Sequence, residues 1–155
     1  MKENIQVAVI MGSESDRETM QACVDELERL GVACELRVSS AHRRPKATVE
    51  YVEDALRRGA KVFIAGAGMA AALPGYVASL TMRPVIGVPL ASGLPGGIDA
   101  LFAIVQMPPG VPVATVAVGM AGARNAAVLA AEILALSDER IAGALQDMRE
   151  QWHRS

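Results

Sequence analysis

A chain of 155 residues with a net charge of −2, a pI near 5.7 and only 3% aromatic side chains is long enough to bury a core of its own. It lacks both the basic footprint that nucleic acid requires and the aromatic platforms on which single strands stack, so nucleic acid is excluded as a partner. The first apolar run is too short for a signal peptide, and no apolar stretch reaches membrane-spanning length without Gly, Pro or charge; a soluble, cytoplasmic protein without a membrane partner is expected.

The first element, QVAVIM (Gln6–Met11), is apolar without polar alternation, the pattern of a parallel strand covered on both faces. Met20, Cys23, Val24, Leu27 and Leu30 then recur at helical spacing, with Gly31 as the stop. CELRVS (Cys34–Ser39) reads as a second strand. Pro45 opens a helix that should bury Val49, Val52 and Leu56 and end at Gly59. VFIAGA (Val62–Ala67) is a third strand, Ala70–Leu80 a third helix, and PVIGV (Pro84–Val88) a fourth strand. A helix over Ile98–Val105, a strand in VATVAV around Ala114 and a helix over Ala121–Leu136 follow. A last amphipathic helix sets Ile141, Leu145, Met148 and Trp152 on one face, to cover its own sheet or to dock on a neighbour. Cys23 and Cys34 form no CxxC pair and fall at apolar positions, where buried free thiols are expected. Residues 1–155 read as one α/β domain, a doubly wound parallel sheet in three layers with a C-terminal helical extension.

Ligands of such sheets gather beyond the carboxyl ends of the strands, which selects three loops. MGSESD turns at Gly12 and enters a helix with Ser13, Ser15 and Asp16, either as a phosphate cradle or as an ordinary N-cap with a first-turn acid. It has no GxGxxG fingerprint and no P-loop lysine, against a dinucleotide or a triphosphate. SAHRRP brings Ser40, Ala41, His42 and Arg43 to the same end; Arg43 can hold a phosphate through two parallel hydrogen bonds, and His42 can both give and take a proton near neutral pH. No second histidine or cysteine cluster accompanies His42, so no metal site is expected. GAGMAAALPG (Gly66–Gly75) has no ionisable group; Gly68, Met69 and Leu73 would wall a dry compartment or simply form a tight strand–helix turn.

VIMGSESDRETM, SSAHRRP, IAGAGMAAALPG, AIVQMPPGVPVATVAVG and AGARNAAVLAAEIL, in this order over nearly the whole chain, closely resemble the N5-carboxyaminoimidazole ribonucleotide mutases of purine biosynthesis. The resemblance implies a flavodoxin-like fold, a homo-octamer with sites at subunit contacts, and a reaction without metal, flavin or biotin. It implies that Ser13 and Asp16 bind the ribose phosphate, that Arg43 holds the phosphate, and that His42 is the catalytic histidine. The substrate would be a small ribonucleotide, with carbon dioxide trapped between decarboxylation and recarboxylation. The commonest family pattern has a histidine where this chain has Ala72. Direct carboxylation of aminoimidazole ribonucleotide, a carboxylase acting on a pyridine dinucleotide, and a binding module without catalysis remain the alternatives.

Overall fold

The structure, a computed structural model, describes residues 2–154. Five parallel strands form one sheet: β1 (Val7–Met11), β2 (Cys34–Val38), β3 (Val62–Gly68), β4 (Val85–Leu90) and β5 (Ala114–Thr115). Their spatial order is β2-β1-β3-β4-β5, the flavodoxin-like doubly wound order, whose switch point lies between β1 and β3. β1 and β4 are buried throughout and β3 up to its last residue, as their unbroken apolar sequences require, whereas the edge strand β2 is half-buried.

Helices α1 (Arg17–Arg29), α5 (Met120–Ala135) and α6 (Glu139–His153) pack on one face, where Met20, Leu27, Ala127 and Ile141 meet Val9 and Ile64. Helices α2 (Pro45–Arg57), α3 (Leu73–Leu80) and α4 (Ile98–Val105) cover the other, where Val52, Val77 and Ile104 meet Ile10 and Phe63. The α1 stripe is buried as its spacing demands, and the chain leaves it through Gly31 at φ +72°.

Several expectations need correction. α2 buries Thr48, Tyr51, Val52 and Ala55 instead of a face centred on Val49 and Leu56, which are half-buried. The Thr48 hydroxyl shares a buried hydrogen bond with Ser39 (2.6 Å), which satisfies this polar side chain on the inward face of the helix. α3 begins at Leu73, not Ala70, because Ala71 takes φ +40° and cannot join a right-handed helix. The fifth strand shrinks to two residues: beyond Thr115 the chain still bonds β4, Val116 N–H to Gly87 O (3.1 Å) and Gly119 N–H to Pro89 O (2.8 Å), but without regular pairing. Cys34 is half-buried rather than buried; burial raises both thiols, Cys34 to about 11, so neither is a thiolate near neutral pH. Trp152 lies beyond the buried part of the α6 stripe and is 65% exposed.

Candidate active site

The register of the sheet brings its strand ends level in two pairs, β1 with β2 and, two residues further along, β3 with β4. Met11 pairs with Val38 on one side and Gly66 on the other, and Gly68 pairs with Leu90. The chain therefore leaves β1, β2, β3 and β4 around one cleft of about 520 Å³. Gly12, Ser13, Ser15 and Asp16 line it from β1, and Ser40, Ala41, His42 and Arg43 from β2. Gly68, Met69 and Leu73 join them from β3, so all the residues singled out in the sequence border a single cavity.

The β1 loop is shaped by its own hydroxyls. Ser13 caps a short 3-10 turn, Glu14–Asp16, its Oγ accepting the Ser15 N–H (3.3 Å) and sharing a hydrogen bond with Ser15 Oγ (2.9 Å). Asp16 ends that turn against α1 and makes no side-chain cap, so its carboxylate is not used up by the helix. Partial burial raises its pKa, offset in part by the Ser13 backbone. An acid with a disfavoured charge in a cleft is a mark of a functional site.

The β2 loop is a tight turn, closed by Arg44 N–H to Ser40 O (2.9 Å) and Arg43 N–H to Ser40 Oγ (3.2 Å). Behind it, Ser39 N–H reaches Met11 O (2.8 Å), and the buried Ser39–Thr48 bond ties the turn to α2. These bonds tie the turn down, while His42 and Arg43 at its crest are exposed. Among the described residues, neither the imidazole nor the guanidinium has a protein partner. An Arg and a His held out on a fixed turn without partners are free for a ligand.

The β3 loop contrasts with both. Ala71 N–H closes on Gly68 O (2.9 Å), with φ +53° at Met69 and +40° at Ala71. Positive φ at residues carrying a side chain is strained backbone, which concentrates at functional sites. Ala72 is the N-cap position of α3, lines the cleft and supplies no side-chain cap. A larger cavity of about 980 Å³ lies at the other end of β4, between Leu56, Met82, Val85 and Val111. Among the described residues Arg83 is the one ionisable side chain lining it, so these offer no set of groups for acid–base chemistry.

A family model described as AIR carboxylase matches residues 6–155. The chain belongs to the AIR carboxylase family. It is 52% identical over 147 residues to the N5-carboxyaminoimidazole ribonucleotide mutase of Brucella melitensis, covering 95% of this chain and 91% of that protein. With the enzyme of that name from Bacillus subtilis it shares 55% over 144 residues, 93% of this chain and 89% of the other. Among solved structures, Treponema denticola PurE superposes with a TM-score of 0.84 at 29% identity, covering 96% of this chain and 92% of that one. The crystal structure of a single-substitution variant of Treponema denticola PurE2 gives 0.86 at 26%, covering 97% and 92%.

The sequence reasoning missed the fourth wall. Ser92, just beyond β4, lines the cleft with Ala67 and Ala70–Ala72. The rule that selected the other loops would have selected it, had the fourth strand been carried to Leu90 instead of stopping at Val88.

Proposed function

We propose that this member of the AIR carboxylase family interconverts N5-carboxyaminoimidazole ribonucleotide and 4-carboxy-5-aminoimidazole ribonucleotide in purine biosynthesis. The observation that carries the reading is the partnerless pair His42 and Arg43 facing a loop with no ionisable side chain across one cleft. Arg43 holds the phosphate, and Ser13 and Asp16 bind the ribose-phosphate part beside it, the Asp16 carboxylate accepting from ribose hydroxyls. His42 protonates the exocyclic nitrogen as the carbamate C–N bond breaks, releasing carbon dioxide. Ring carbon 4 then attacks the carbon dioxide, and His42 takes the proton that carbon 4 loses. The enzyme ends with the protons it started with, so one imidazole serves both half-reactions. Gly68–Leu73 exclude water while the two fragments are apart, which keeps recombination effectively unimolecular.

The family description, AIR carboxylase, and Ala72 together favour one further reading, direct carboxylation of 5-aminoimidazole ribonucleotide by free carbon dioxide. The test is an assay without ATP that offers either the carbamate or aminoimidazole ribonucleotide with bicarbonate, measuring carboxylated product and released aminoimidazole ribonucleotide. Product from the carbamate alone supports the mutase; product only with bicarbonate supports the carboxylase; binding without product in either arm leaves a binding module.

The same reading makes the protein a cytoplasmic homo-oligomer, an octamer by resemblance. Exposed Leu94, Ile98, Phe102 and Val105 form an apolar surface around α4, next to the cleft, that assembly would cover. Light scattering that gives a monomer at micromolar concentration would remove this part. Among the described residues no helix is long and apolar enough to cross a membrane.

A further inference from the structure

Four serines line the cleft, and three are already engaged. Ser13 and Ser15 bond each other, and Ser40 Oγ accepts from Arg43 N–H. The Ser92 hydroxyl has no hydrogen-bond partner among the described residues. Among the described residues it is also the only polar side chain that the β3–β4 half contributes to the cleft, opposite the loops that carry Ser13, Asp16, His42 and Arg43.

Its position is enforced. Ser92 Oγ sits against the backbone of Gly68, where any Cβ would overlap it, so Gly68 is the residue that lets the hydroxyl enter the wall. Residues 91–96 are all exposed and have no strand partner, so little burial holds them. What does hold them is the carboxylate of Asp99 in the first turn of α4. Asp99 Oδ2 accepts the Leu94 N–H (3.2 Å) and occupies the space a Cβ on Gly93 would need. Ser92 N–H to Leu90 O and Gly97 N–H to Leu94 O (both 3.0 Å) complete the fold of the segment. The Met69 side chain also lies close to Gly93, packing the segment against the β3 loop.

We propose that Ser92 is a substrate-contact residue that donates its hydroxyl to the carboxylate of the imidazole, and that Asp99 is the residue that positions it. This rests on the mutase reading. With phosphate at the Arg43 side, a nucleotide spanning the cleft brings its base to the β3–β4 half, where Ser92 supplies the one side-chain donor. The carboxylate exists in both carboxylated species and not in aminoimidazole ribonucleotide, so Ser92 distinguishes them.

The test combines titration and kinetics on the native protein, Ser92→Ala, Asp99→Ala, Asp99→Asn and Ser92→Ala/Asp99→Ala. For Ser92→Ala, affinity for 4-carboxy-5-aminoimidazole ribonucleotide should fall roughly tenfold or more, as expected for a lost hydrogen bond to a charged group. Affinity for 5-aminoimidazole ribonucleotide should stay within about twofold, less than a neutral hydrogen bond contributes. Asp99→Ala should show the same selective loss, and the double variant should be no worse than Ser92→Ala, because the two residues act through one contact. Asp99→Asn keeps an oxygen for Leu94 N–H and should restore much of the affinity. Equal weakening of both ligands, no weakening, or additive losses would overturn the proposal, and the native protein's turnover would still uphold the mutase reading. A native protein that makes no product overturns both.

Discussion

The two halves of the cleft are built by opposite means. On the β1–β2 side, Ser13 and Ser40 spend their hydroxyls on backbone N–H groups, which fixes the loops and frees Asp16, His42 and Arg43. On the β3–β4 side the wall is shaped by the backbone itself, with φ +53° at Met69 and +40° at Ala71, and side chains contribute almost nothing polar. Each half is destabilised in its own way, the first by partly desolvating a carboxylate and the second by backbone strain. Under the proposed mutase reading, the difference would correspond to a division of labour: charge to hold a phosphate and move a proton, and a dry wall to keep carbon dioxide.

The sharpest way to break this division is at its proton carrier. His42→Asn should lower kcat by about a hundredfold to ten-thousandfold while ligand affinity, measured by titration, changes little. Turnover within a few-fold of native would return His42 to a structural role. Arg43→Ala should show the reverse, with affinity for the ribonucleotide weaker by roughly 10- to 100-fold, the usual contribution of a charged hydrogen bond of about 1.5–3 kcal/mol. An unchanged dissociation constant would remove the phosphate from this side of the cleft.

The first half of the cleft was far more legible in the sequence than the second. Asp16, His42 and Arg43 announce themselves by residue type, and parallel strands carry them to one end of the sheet. The layers follow from apolar runs alternating with helical stripes, and Met20, Cys23, Val24 and Leu27 on α1 and Leu30 just past its end are all buried. The second half is made of backbone conformation, which residue type does not encode. Nothing in Ala70–Ala72 signals that Ala71 turns left-handed, and on propensity these residues extend the α3 helix. Strand five was overestimated for a related reason, since Val-rich sequence favours a strand but one at the sheet edge keeps only the pairing its neighbour allows.

A smaller effect tests the polar half's electrostatic cost. Asp16 binds its proton more tightly in the folded protein than an ordinary aspartate does, because burial disfavours the charge. Ionising it therefore costs stability: the penalty is absent below the unfolded-state pKa, about 4, and is fully present once the pH exceeds the folded value. Asp16→Asn should melt above the native protein at pH 7, and the gap should close as the pH falls below about 4. The same variant should bind the ribonucleotide more weakly. A melting-point difference that does not depend on pH would show that the carboxylate's charge is not the source of the cost.

The smallest effect tests the other half. Met69 adopts φ +53° although the residue is 61% exposed, so the fold recovers little burial for holding it there. A left-handed conformation costs an L-residue roughly 1–2 kcal/mol, and a glycine there avoids this but loses about 0.5–1 kcal/mol to chain entropy. Met69→Gly should therefore stabilise the protein by about 0.5–1 kcal/mol, a rise in melting temperature of about 1–4 °C for a chain this long. Ala71 is the internal control. Its φ is +40° but it is only 4% exposed, so Ala71→Gly forfeits a buried methyl worth about 0.8 kcal/mol, and the two contributions should nearly cancel. The gain at Met69 should come with a loss of function, because the Met69 side chain packs against Gly93 and closes the wall opposite His42. With that side chain gone, more carbon dioxide should escape, and the ratio of carboxylated product to aminoimidazole ribonucleotide should fall. A lower melting temperature in Met69→Gly would mean that the side chain holds the loop in place, and the strain would have to be sought elsewhere. A higher melting temperature with an unchanged product ratio would keep the strain but separate it from the retention of carbon dioxide.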